Sequence, residues 1–349
     1  MATRVTLKEI AKELGLSVMT VSRALNNRSN VDEKTRNRIL QTARRLGYRP
    51  NYVAKSLVLN KTNTLGVVVP EISHSFFPEV IRGIEEVAHQ AGYQLILTHS
   101  KENAERELEV LNTLEAKRVD GILISMAQSS TDLEPYKERI ASGIPLVFFD
   151  RCAFGLGASC VSINDEQSAE TITRHLIEGH GYQKIAHLAG PQKLSIGIQR
   201  MQGFKKAMQD NGLDISEDWL QVAGLNEKGG LQAMRSLLAL PDSQIPRAIV
   251  AVNDPVAFGA MQAIYEEGLR IPEDIAITGF TDDIRAQLMP APLTTVRQPA
   301  FQVGQTAAKK LLEHIGDSSS QITEEIIEAG MVIRRSCGCK EVSRNIVFA

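Results

Sequence analysis

The sequence predicts an α/β protein in which two doubly wound parallel-sheet subdomains follow a small all-helical head. Beyond residue 64, apolar runs typical of buried strands alternate with stretches of helical periodicity. Residues 1–49 instead hold three helical patterns and no strand pattern. The charge divides at the same place. Residues 1–61 carry 13 Lys and Arg against 4 Asp and Glu, a net +9, which leaves −11 for the rest of a chain of net charge −2.

The first predicted helix covers the segment LKEIAKEL at residues 7–14. Thr6 and Glu9 have the spacing of a capping box, in which Glu9 reaches back to the amide of Thr6. Gly15 ends the helix, because glycine adopts the left-handed conformation at little cost. The apolar face recurs at helical spacing and consists of Leu7, Ile10, Ala11 and Leu14.

Two further helices complete the predicted head. Ser17 is expected to cap the second helix, which presents Val21 and Leu25 inward. Asp32 is expected to cap a third helix that reaches residue 46 and ends before Gly47. The third helix is needed because a twenty-residue helix-turn-helix buries too little apolar area alone. Its inner face consists of Ile39, Ala43 and Leu46.

A helix-turn-helix has the geometry to read DNA, because its second helix can enter the major groove. There Arg23 can donate two hydrogen bonds to guanine O6 and N7, and Val18 and Met19 can contact thymine methyl groups. Hydroxyl groups and helix-start amides can hold phosphates. The candidate DNA-binding residues of the head are Thr6, Ser17, Val18, Met19, Thr20, Ser22, Arg23 and Asn26. The motif alone leaves open a three-helix domain that contacts another protein, but the coincident basic charge favours DNA.

Residues 50–62 are predicted to form a hinge between the head and the body. The segment Tyr48 to Asn51 ends the third helix and begins the linker. The segment Val53 to Leu57 has helical potential but is too short to be stable alone. Without other information, Leu57 is most simply a linker leucine docked on its own domain.

The body is predicted to span residues 63–335, with a tail at 336–349. Apolar strand patterns occur at 65–70, 93–100, 121–125, 145–150, 161–165, 184–190, 219–224, 248–254, 274–280 and 294–296. Helical patterns separate most of them, a helix follows at 300–315, and closing strands are expected within 322–333. So many strands predict two sheets. One subdomain is assigned to about 63–163 and 297–325, and the other to about 164–296 and 326–335.

Polar and aromatic side chains follow the predicted strands at their carboxyl ends, where ligands bind in open α/β sheets. Their mixture of ring faces, carboxylates, amides and guanidinium groups suits a polyhydroxylated ligand. Each residue taken separately could instead be a helix cap or a loop contact, and Asp254 before Pro255 is expected to be a cap. The candidate ligand-binding residues are Ser75, Phe76, Phe77, Asp150, Arg151, Ser195, Arg200, Leu225, Asn253, Thr281 and Gln298.

Several other classes of protein are disfavoured by the sequence. It contains no apolar run of 18 residues, and the opening MATRVTLKEI lacks the apolar run of a signal peptide, so a cytoplasmic protein is expected. No dinucleotide, Walker, nucleophile-elbow or HExxH motif occurs, so neither an enzyme nor a cofactor is expected. The four cysteines are interpreted as cytosolic thiols. Cys337 and Cys339 make at most half a metal site, since the histidines are scattered without metal spacing.

Two stretches of the head bear a specific resemblance to a known family. TLKEIAKELGLSVMTVSRALN and VDEKTRNRILQTARRLGYRPN resemble the DNA-binding headpiece of the LacI/GalR family of bacterial regulators. The resemblance continues to about Arg335 and implies a periplasmic-binding-protein-like body. It also implies that the hinge folds on double-stranded operator DNA, with Leu57 inserted into the minor groove. The DNA contacts assigned to the hinge are Asn51, Ala54, Lys55 and Leu57.

The resemblance also places a small effector in the cleft of the body. Phe77, Asp150, Arg200 and Asn253 stand where such regulators bind effectors. Thr281 stands where many members carry a ligand-binding aspartate, and Leu225 where several carry an aromatic ring, so these positions leave the effector's identity open. The function implied is a homodimeric repressor of a pseudo-palindromic operator, controlled by a sugar or sugar derivative. The alternative is a small-molecule-binding protein, or a relic α/β enzyme, with a basic docking head.

Overall fold

The computed structural model describes residues 5–26, 30–48, 61–73, 75–317 and 319–340, together with the backbone of 343–347. The chain divides into two compact units, Met1–Thr62 and Asn63–Ala349, which are the head and the body. Four candidate DNA-binding residues of the hinge, Asn51, Ala54, Lys55 and Leu57, lie outside the described residues.

The head contains the three helices expected, α1 (Leu7–Leu14), α2 (Val18–Leu25) and α3 (Glu33–Arg45). An ion pair between Arg45 and Glu13 joins the end of α3 to α1. The helices enclose a small core, which is what a domain of about 40 residues can bury. Its fully buried apolar residues are Ile10, Ala11, Val21, Ala24, Ile39 and Ala43.

The helix ends in the head follow the local chemistry that the sequence indicates. The Glu9 carboxylate accepts a hydrogen bond from the amide of Thr6 at 2.6 Å, the returning half of the capping box. Gly15 ends α1 in the left-handed conformation, with a φ of 65°. The Ser17 hydroxyl accepts from the amide of Thr20 at 3.0 Å, and Asp32 caps α3 by accepting from the amide of Thr35 at 2.9 Å. These ends are therefore fixed by residues close in sequence.

The body begins with a six-stranded parallel sheet in the order β2–β1–β3–β4–β5–β11. Its strands are β1 (Thr64–Val69), β2 (Gln94–His99), β3 (Gly121–Ile124), β4 (Leu146–Phe149), β5 (Ser159–Ile163) and β11 (Glu324–Ile327). Its helices are α4 (Phe76–Gln90), α5 (Ala104–Ala116), α6 (Glu134–Ala141) and, later in the chain, α11 (Ala300–Gly316). β1 and β3–β5 are buried almost throughout, as expected for a sheet covered on both faces.

The second sheet has seven strands in the order β7–β6–β8–β9–β10–β12–β13. They are β6 (Ile185–Ala189), β7 (Leu220–Val222), β8 (Ala248–Ala251), β9 (Ala276–Thr281), β10 (Thr294–Arg297), β12 (Gly330–Ile333) and β13 (Ser343–Val347). Its helices are α7 (Asp165–His180), α8 (Ser195–Asp210), α9 (Glu227–Leu238) and α10 (Asp254–Glu266). β12 pairs antiparallel with β10, and β13 pairs antiparallel with β12, while the others are parallel.

The late part of the chain differs from the sequence expectation in two respects. The assigned boundary at residue 325 falls inside β11, which pairs with β5 as far as Ile327 opposite Ile163. The expected closing strands at 322–333 therefore belong to different sheets. The tail also contributes a strand, because β13 pairs with β12. The apolar pattern indicated the strands within 322–333 but not their pairing partners, and the partner of β11 lies more than 150 residues away.

The expectation of free cytosolic thiols is wrong for one pair of cysteines. Cys152 and Cys160 form a disulfide with their Cα atoms 5.9 Å apart. They follow and begin neighbouring strands, since Phe148 of β4 lies opposite Cys160 of β5. The connection between β4 and β5 therefore brings Cys152 next to Cys160.

Three helix pairs of the body approach each other closely at glycine. A Cβ atom on Gly203 of α8 would lie 2.0 Å from the Glu166 carbonyl oxygen of α7. Gly304 of α11 faces the Val80 carbonyl of α4 at the same distance, and Gly259 of α10 faces the Glu227 carbonyl of α9 at 1.9 Å. No larger residue fits unless the helices move apart.

We predict that Gly203→Ala lowers the free energy of unfolding by about 1–3 kcal/mol, because the added methyl group overlaps backbone atoms of α7. Urea denaturation measures the change. Gly316→Ala is the matched control, because a Cβ there meets nothing within 4 Å. It should be neutral or stabilise by up to about 1 kcal/mol, the helix-propensity gain over glycine. Equal effects of the two substitutions would contradict the tight α7–α8 contact.

Candidate functional site

The second helix of the head presents an apolar and basic face. Val18 and Met19, at its start, are 41% and 62% exposed, although both are large hydrophobic residues. Arg23 follows one turn later and is exposed. Val21 and Ala24 on the opposite side are buried in the head core. The surface of the helix therefore carries the side chains that the sequence assigns to base contacts.

Other candidates on this helix already make local hydrogen bonds. The Ser17 hydroxyl caps α2, lies 2.9 Å from the Thr20 hydroxyl and sits at the helix start, where phosphates bind. The Asn26 amide donates to the Ser22 carbonyl at 2.9 Å. The Thr6 hydroxyl donates to Glu9 at 3.1 Å. These hydrogen bonds fix the local conformation of the head around the starts of α1 and α2 and the end of α2.

In the body, side chains from both sheets line a cavity of about 50 Å³. They follow the carboxyl ends of strands, as expected for ligand sites in open α/β sheets. The lining residues are Phe76, Phe77, Glu102, Asp150, Arg151, Ile196, Arg200, Leu225, Asn253, Pro255, Thr281, Asp283 and Gln298. Nine of the eleven residues suggested by the sequence are among them, so strand-end reasoning located the cavity.

The two remaining candidates, Ser75 and Ser195, lie beside the cavity and bridge the two subdomains. The Ser195 hydroxyl, in the first turn of α8, accepts from the amide of Cys152 at 3.2 Å. The Ser75 hydroxyl, before α4, hydrogen-bonds the Asp283 carboxylate. Burial opposes the shift, but Arg285 and, to a smaller extent, Ser75 lower the pKa of Asp283. Gln298 makes a third link, since its side-chain amide donates to Asp150 at 3.3 Å. These contacts hold the cleft walls together.

Asp150 and Arg151 form the charged wall on the first subdomain. Asp150 is buried and has a φ of 60°, which turns its carboxylate toward the cavity at the end of β4. Burial raises its pKa, and the guanidinium of Arg151 opposes that shift. Arg151 donates to Glu102 at 2.8 Å and to the Met126 carbonyl at 3.0 Å. The Asp150 carboxylate lies 3.8 Å from Nε of Arg151, a neighbour that is itself fixed by other partners.

Arg200 is the charged centre of the opposite wall and is almost fully buried. Its Nε donates to the Asp165 carboxylate at 2.7 Å and its Nη1 to the Val252 carbonyl at 2.6 Å. Its guanidinium carbon lies 3.6 Å from the centroid of the Phe280 ring. Burial raises the pKa of Asp165 to about 6, while Arg200 lowers it. Arg200 therefore joins α8 to α7 as well as lining the cavity.

The structure corrects the expected role of Asp254. The cap of α10 is Asn253, whose side chain accepts from the amide of Val256 at 2.9 Å and donates to the Leu225 carbonyl at 3.0 Å. Asp254 is instead fully buried, accepting from the Thr295 hydroxyl at 2.6 Å and from the Asp283 amide at 2.7 Å. Burial raises its pKa to about 7. The Pro255 ring occupies the first turn, where no backbone donor is needed.

The segment after β9 turns sharply at Thr281 and Asp282, with φ values of 136° and 62°. Asp282 turns away from the cavity and binds Arg297 and Arg334, each at 2.7 Å. Thr281 and Asp283 line the cavity. Thr281 has no carboxylate, but Asp283, two residues later, places one on this wall of the cavity.

Sequence reasoning missed four lining residues. Glu102 lies three residues after β2, whose carboxyl end the same strand rule could have included. Ile196 is the second residue of α8, next to the identified Ser195. Pro255 and Asp283 each lie two residues after an identified residue, Asn253 and Thr281. Their orientation depends on the α10 start and on the turn after β9.

Outside the cavity, the structure overturns the expectation that the histidines lack metal spacing. His175 and His180 lie on α7, and their nitrogens come together with the sulfurs of Cys337 and Cys339 within 4.8 Å of one another. The sequence separates the two pairs by about 160 residues. Only the pairing of the C-terminal segment with the second sheet brings them together.

This architecture defines a class of protein. A helix-turn-helix head precedes a body with two parallel-sheet subdomains and a lined cleft, which is the organisation of a ligand-responsive transcription regulator. Residues 6–51 match the model of the bacterial regulatory proteins of the lacI family, and residues 62–334 match that of the periplasmic binding proteins and sugar binding domain of the LacI family. The chain belongs to the LacI family of DNA-binding transcription regulators and has its effector-binding domain.

Individual relatives cover almost the whole chain. The HTH-type transcriptional repressor PurR of Histophilus somni (strain 129Pt) is 33% identical over 95% of this chain and 98% of its own length. A lac repressor dimer bound to operator and the anti-inducer ONPF has a TM-score of 0.84 at 26% identity, covering 96% of this chain and 99% of that one. A CelR–cellobiose complex has a TM-score of 0.72 at 27% identity, covering 95% and 100%.

The relatives named above are transcription regulators rather than enzymes. Among the described residues, no helix is both long and apolar enough to cross a membrane.

We predict that Arg200→Ala destabilises the body by about 3–5 kcal/mol, because it leaves the buried Asp165 carboxylate without its ion-pair partner. The free energy of unfolding in urea measures the loss. The double variant Arg200→Met with Asp165→Leu removes both charges and should recover much of it, since apolar replacement of a buried pair is often neutral. A single variant within about 1 kcal/mol of wild type would contradict the pairing, because surface changes lie in that range.

Proposed function

We propose that the chain represses transcription by binding a pseudo-palindromic operator as a homodimer, and that a sugar or sugar derivative in the cleft controls this binding. The observation that carries the effector part is the cavity lined from both subdomains by carboxylates, an amide, guanidinium groups and aromatic rings. The charge of the head and the exposed face of α2 support the DNA part. A cytoplasmic location and the absence of enzymatic activity are part of the proposal.

The proposed DNA contacts follow from the exposed face of α2. Arg23 reads guanine, and Val18 and Met19 touch thymine methyl groups. Thr6, Ser17, Thr20, Ser22 and Asn26 contact the sugar-phosphate backbone of the DNA. The hinge residues Asn51, Ala54, Lys55 and Leu57 add backbone contacts and the minor-groove wedge.

A dimer is proposed because one head reads too few base pairs for useful specificity. The similar lac repressor was solved as a dimer bound to operator, and this chain covers 99% of that one.

The proposed effector is polyhydroxylated. The Asp150 and Asp283 carboxylates and the Asn253 amide suit vicinal hydroxyls, and Phe77 offers a ring face. The similar regulator CelR was solved in complex with cellobiose, which supports a carbohydrate. Effector contacts are proposed for Ser75, Phe76, Phe77, Asp150, Arg151, Ser195, Arg200, Leu225, Asn253, Thr281 and Gln298.

The proposed switch is a change of cleft angle. A ligand that contacts both walls of the cavity favours one separation of the walls over another. Separation loosens the links from Ser195 to Cys152 and from Ser75 to Asp283. The ligand shifts the equilibrium between the two cleft angles only as far as its affinities for the two conformations differ. The angle then sets the spacing of the two hinges in the dimer.

For the DNA part, we predict that Arg23→Ala weakens binding to an operator selected from random DNA by about 1–3 kcal/mol, the value of one bidentate guanine contact. Binding to random DNA should change much less, because the phosphate contacts remain. Titrations at fixed salt measure both affinities. Arg38→Ala on α3, also exposed, is the control for lost charge.

Equal losses on selected and random DNA would remove the base-reading role of Arg23.

The same titration with a single half-site tests the dimer, which should lose most of its affinity there. If no sequence is selected from random DNA, the head docks elsewhere, and the alternative of a ligand-binding protein with a basic docking head is favoured.

For the effector part, a thermal-shift screen of sugars and sugar acids should find a ligand that raises the melting temperature. We predict that Asp150→Asn weakens that ligand about tenfold to hundredfold, because it loses a charge-assisted hydrogen bond worth about 1.5–3 kcal/mol. The fold should tolerate the change, since Arg151 keeps Glu102 and the Met126 carbonyl as partners. Calorimetry measures the affinity.

The matched control for this test is Glu134→Gln, an exposed carboxylate paired with Lys137 on α6. It should leave the ligand affinity unchanged. Normal affinity in Asp150→Asn would place the ligand outside the cleft, while the DNA prediction would be unaffected.

A further inference from the structure

We propose that the body binds one structural Zn²⁺ through His175, His180, Cys337 and Cys339. The four ligand atoms lie within 4.8 Å of one another, on two elements that are distant in sequence. His175 and His180 come from the last two turns of α7. Cys337 ends a short 3₁₀ turn after β12, and Cys339 follows that turn. The site lies apart from the cleft lining and does not depend on the proposed regulatory function.

Three sulfur–nitrogen separations in the cluster match those of a tetrahedral zinc site. With zinc–sulfur bonds of about 2.3 Å and zinc–nitrogen bonds of about 2.0–2.1 Å, a tetrahedron separates sulfur from nitrogen by about 3.6 Å. The Cys337 sulfur lies 3.4 Å from His175 Nε2, and the Cys339 sulfur lies 3.3 Å from His180 Nε2 and 3.7 Å from His175 Nε2. Two sulfurs and two nitrogens in this arrangement are typical of zinc.

Hydrogen bonding alone accounts poorly for the cluster. An imidazole nitrogen offers either one hydrogen or one lone pair, yet His175 Nε2 faces both sulfurs. A dication bound by two thiolates and two neutral imidazoles is instead net neutral. Cys337 is fully buried, where an uncompensated thiolate charge would be costly.

The surroundings support a built site. Thr294 Oγ1 lies 3.1 Å from the Cys337 sulfur, in the position of a partner that orients a metal ligand. Gly338 between the cysteines has a φ of 107°, and a Cβ there would lie 3.3 Å from His180 Nδ1. Glycine therefore permits both the turn and the approach of the imidazole. The spacing of the histidines, with four residues between them, also falls in the range common for zinc.

Zinc in this position would fasten the segment after β12 to the end of α7. The first residue of α7 is Asp165, the partner of Arg200 in the cleft. The metal would thus hold the helix that positions this ion pair, and its removal should lower the melting temperature of the body.

The test uses the full chain, purified under reducing conditions without added metal. Elemental analysis should find about one zinc per chain, as expected for a four-ligand structural site. Cys339→Ser and His180→Asn should each bring that value close to zero. His89→Gln, an exposed histidine on α4, should leave it unchanged. Zinc retained equally by all three variants would overturn the assignment.

A second measurement needs no variant, in case the substitutions impair folding. X-ray absorption at the zinc edge of the wild-type protein should give two sulfur and two nitrogen ligands. Cobalt(II) added to chelator-treated protein should give the sulfur-to-metal charge-transfer bands of a tetrahedral site. Absence of bound zinc together with no tetrahedral cobalt spectrum, or a Cys337–Cys339 disulfide in the reduced preparation, would overturn the proposal.

Discussion

The body depends on one constraint, which is that the chain passes between its two sheets three times. The passages run from β5 to β6, from β10 to β11 and from β11 to β12. Because each subdomain is built from more than one segment, neither sheet is complete until the late strands have paired. The same passages fix the strand ends of both sheets around one cleft, where Asp150, Asn253 and Thr281 meet.

The cleft places charged groups where water is mostly excluded, and this has two consequences. Buried carboxylates keep raised pKa values at Asp150, Asp165 and Asp254, so each needs a donor to remain in place. Hydrogen-bond donors that bind these carboxylates therefore also stabilise the fold. Arg200 is the clearest case, because it both lines the cavity and neutralises Asp165. Loss of its side chain therefore affects stability as well as any ligand.

Close packing of α7 against α8 sets the relative positions of charged groups in the second subdomain. The contact at Gly203 brings α8 against α7, which aligns Arg200 with Asp165 at 2.7 Å. The far end of α7 carries His175 and His180 beside the C-terminal cysteines. One helix thus connects the cleft wall to the last part of the chain, and a change at either end acts on the same rigid element.

The sequence by itself determined the local features of this protein. Capping at Ser17 and Asp32, the left-handed end at Gly15 and the alternation of strands with helices depend on neighbours within a few residues, so periodicity and turn chemistry reveal them. Strand ends also located most of the cavity. Tertiary structure decided the rest: the bond between Cys152 and Cys160, the burial of Asp254, the pairing of β11 and β13, and the His–Cys cluster. The burial of Asp254, the pairing of β11 and the His–Cys cluster depend on partners that are about 30 to more than 150 residues away. No local sequence pattern records which distant strand or helix will pack against these residues.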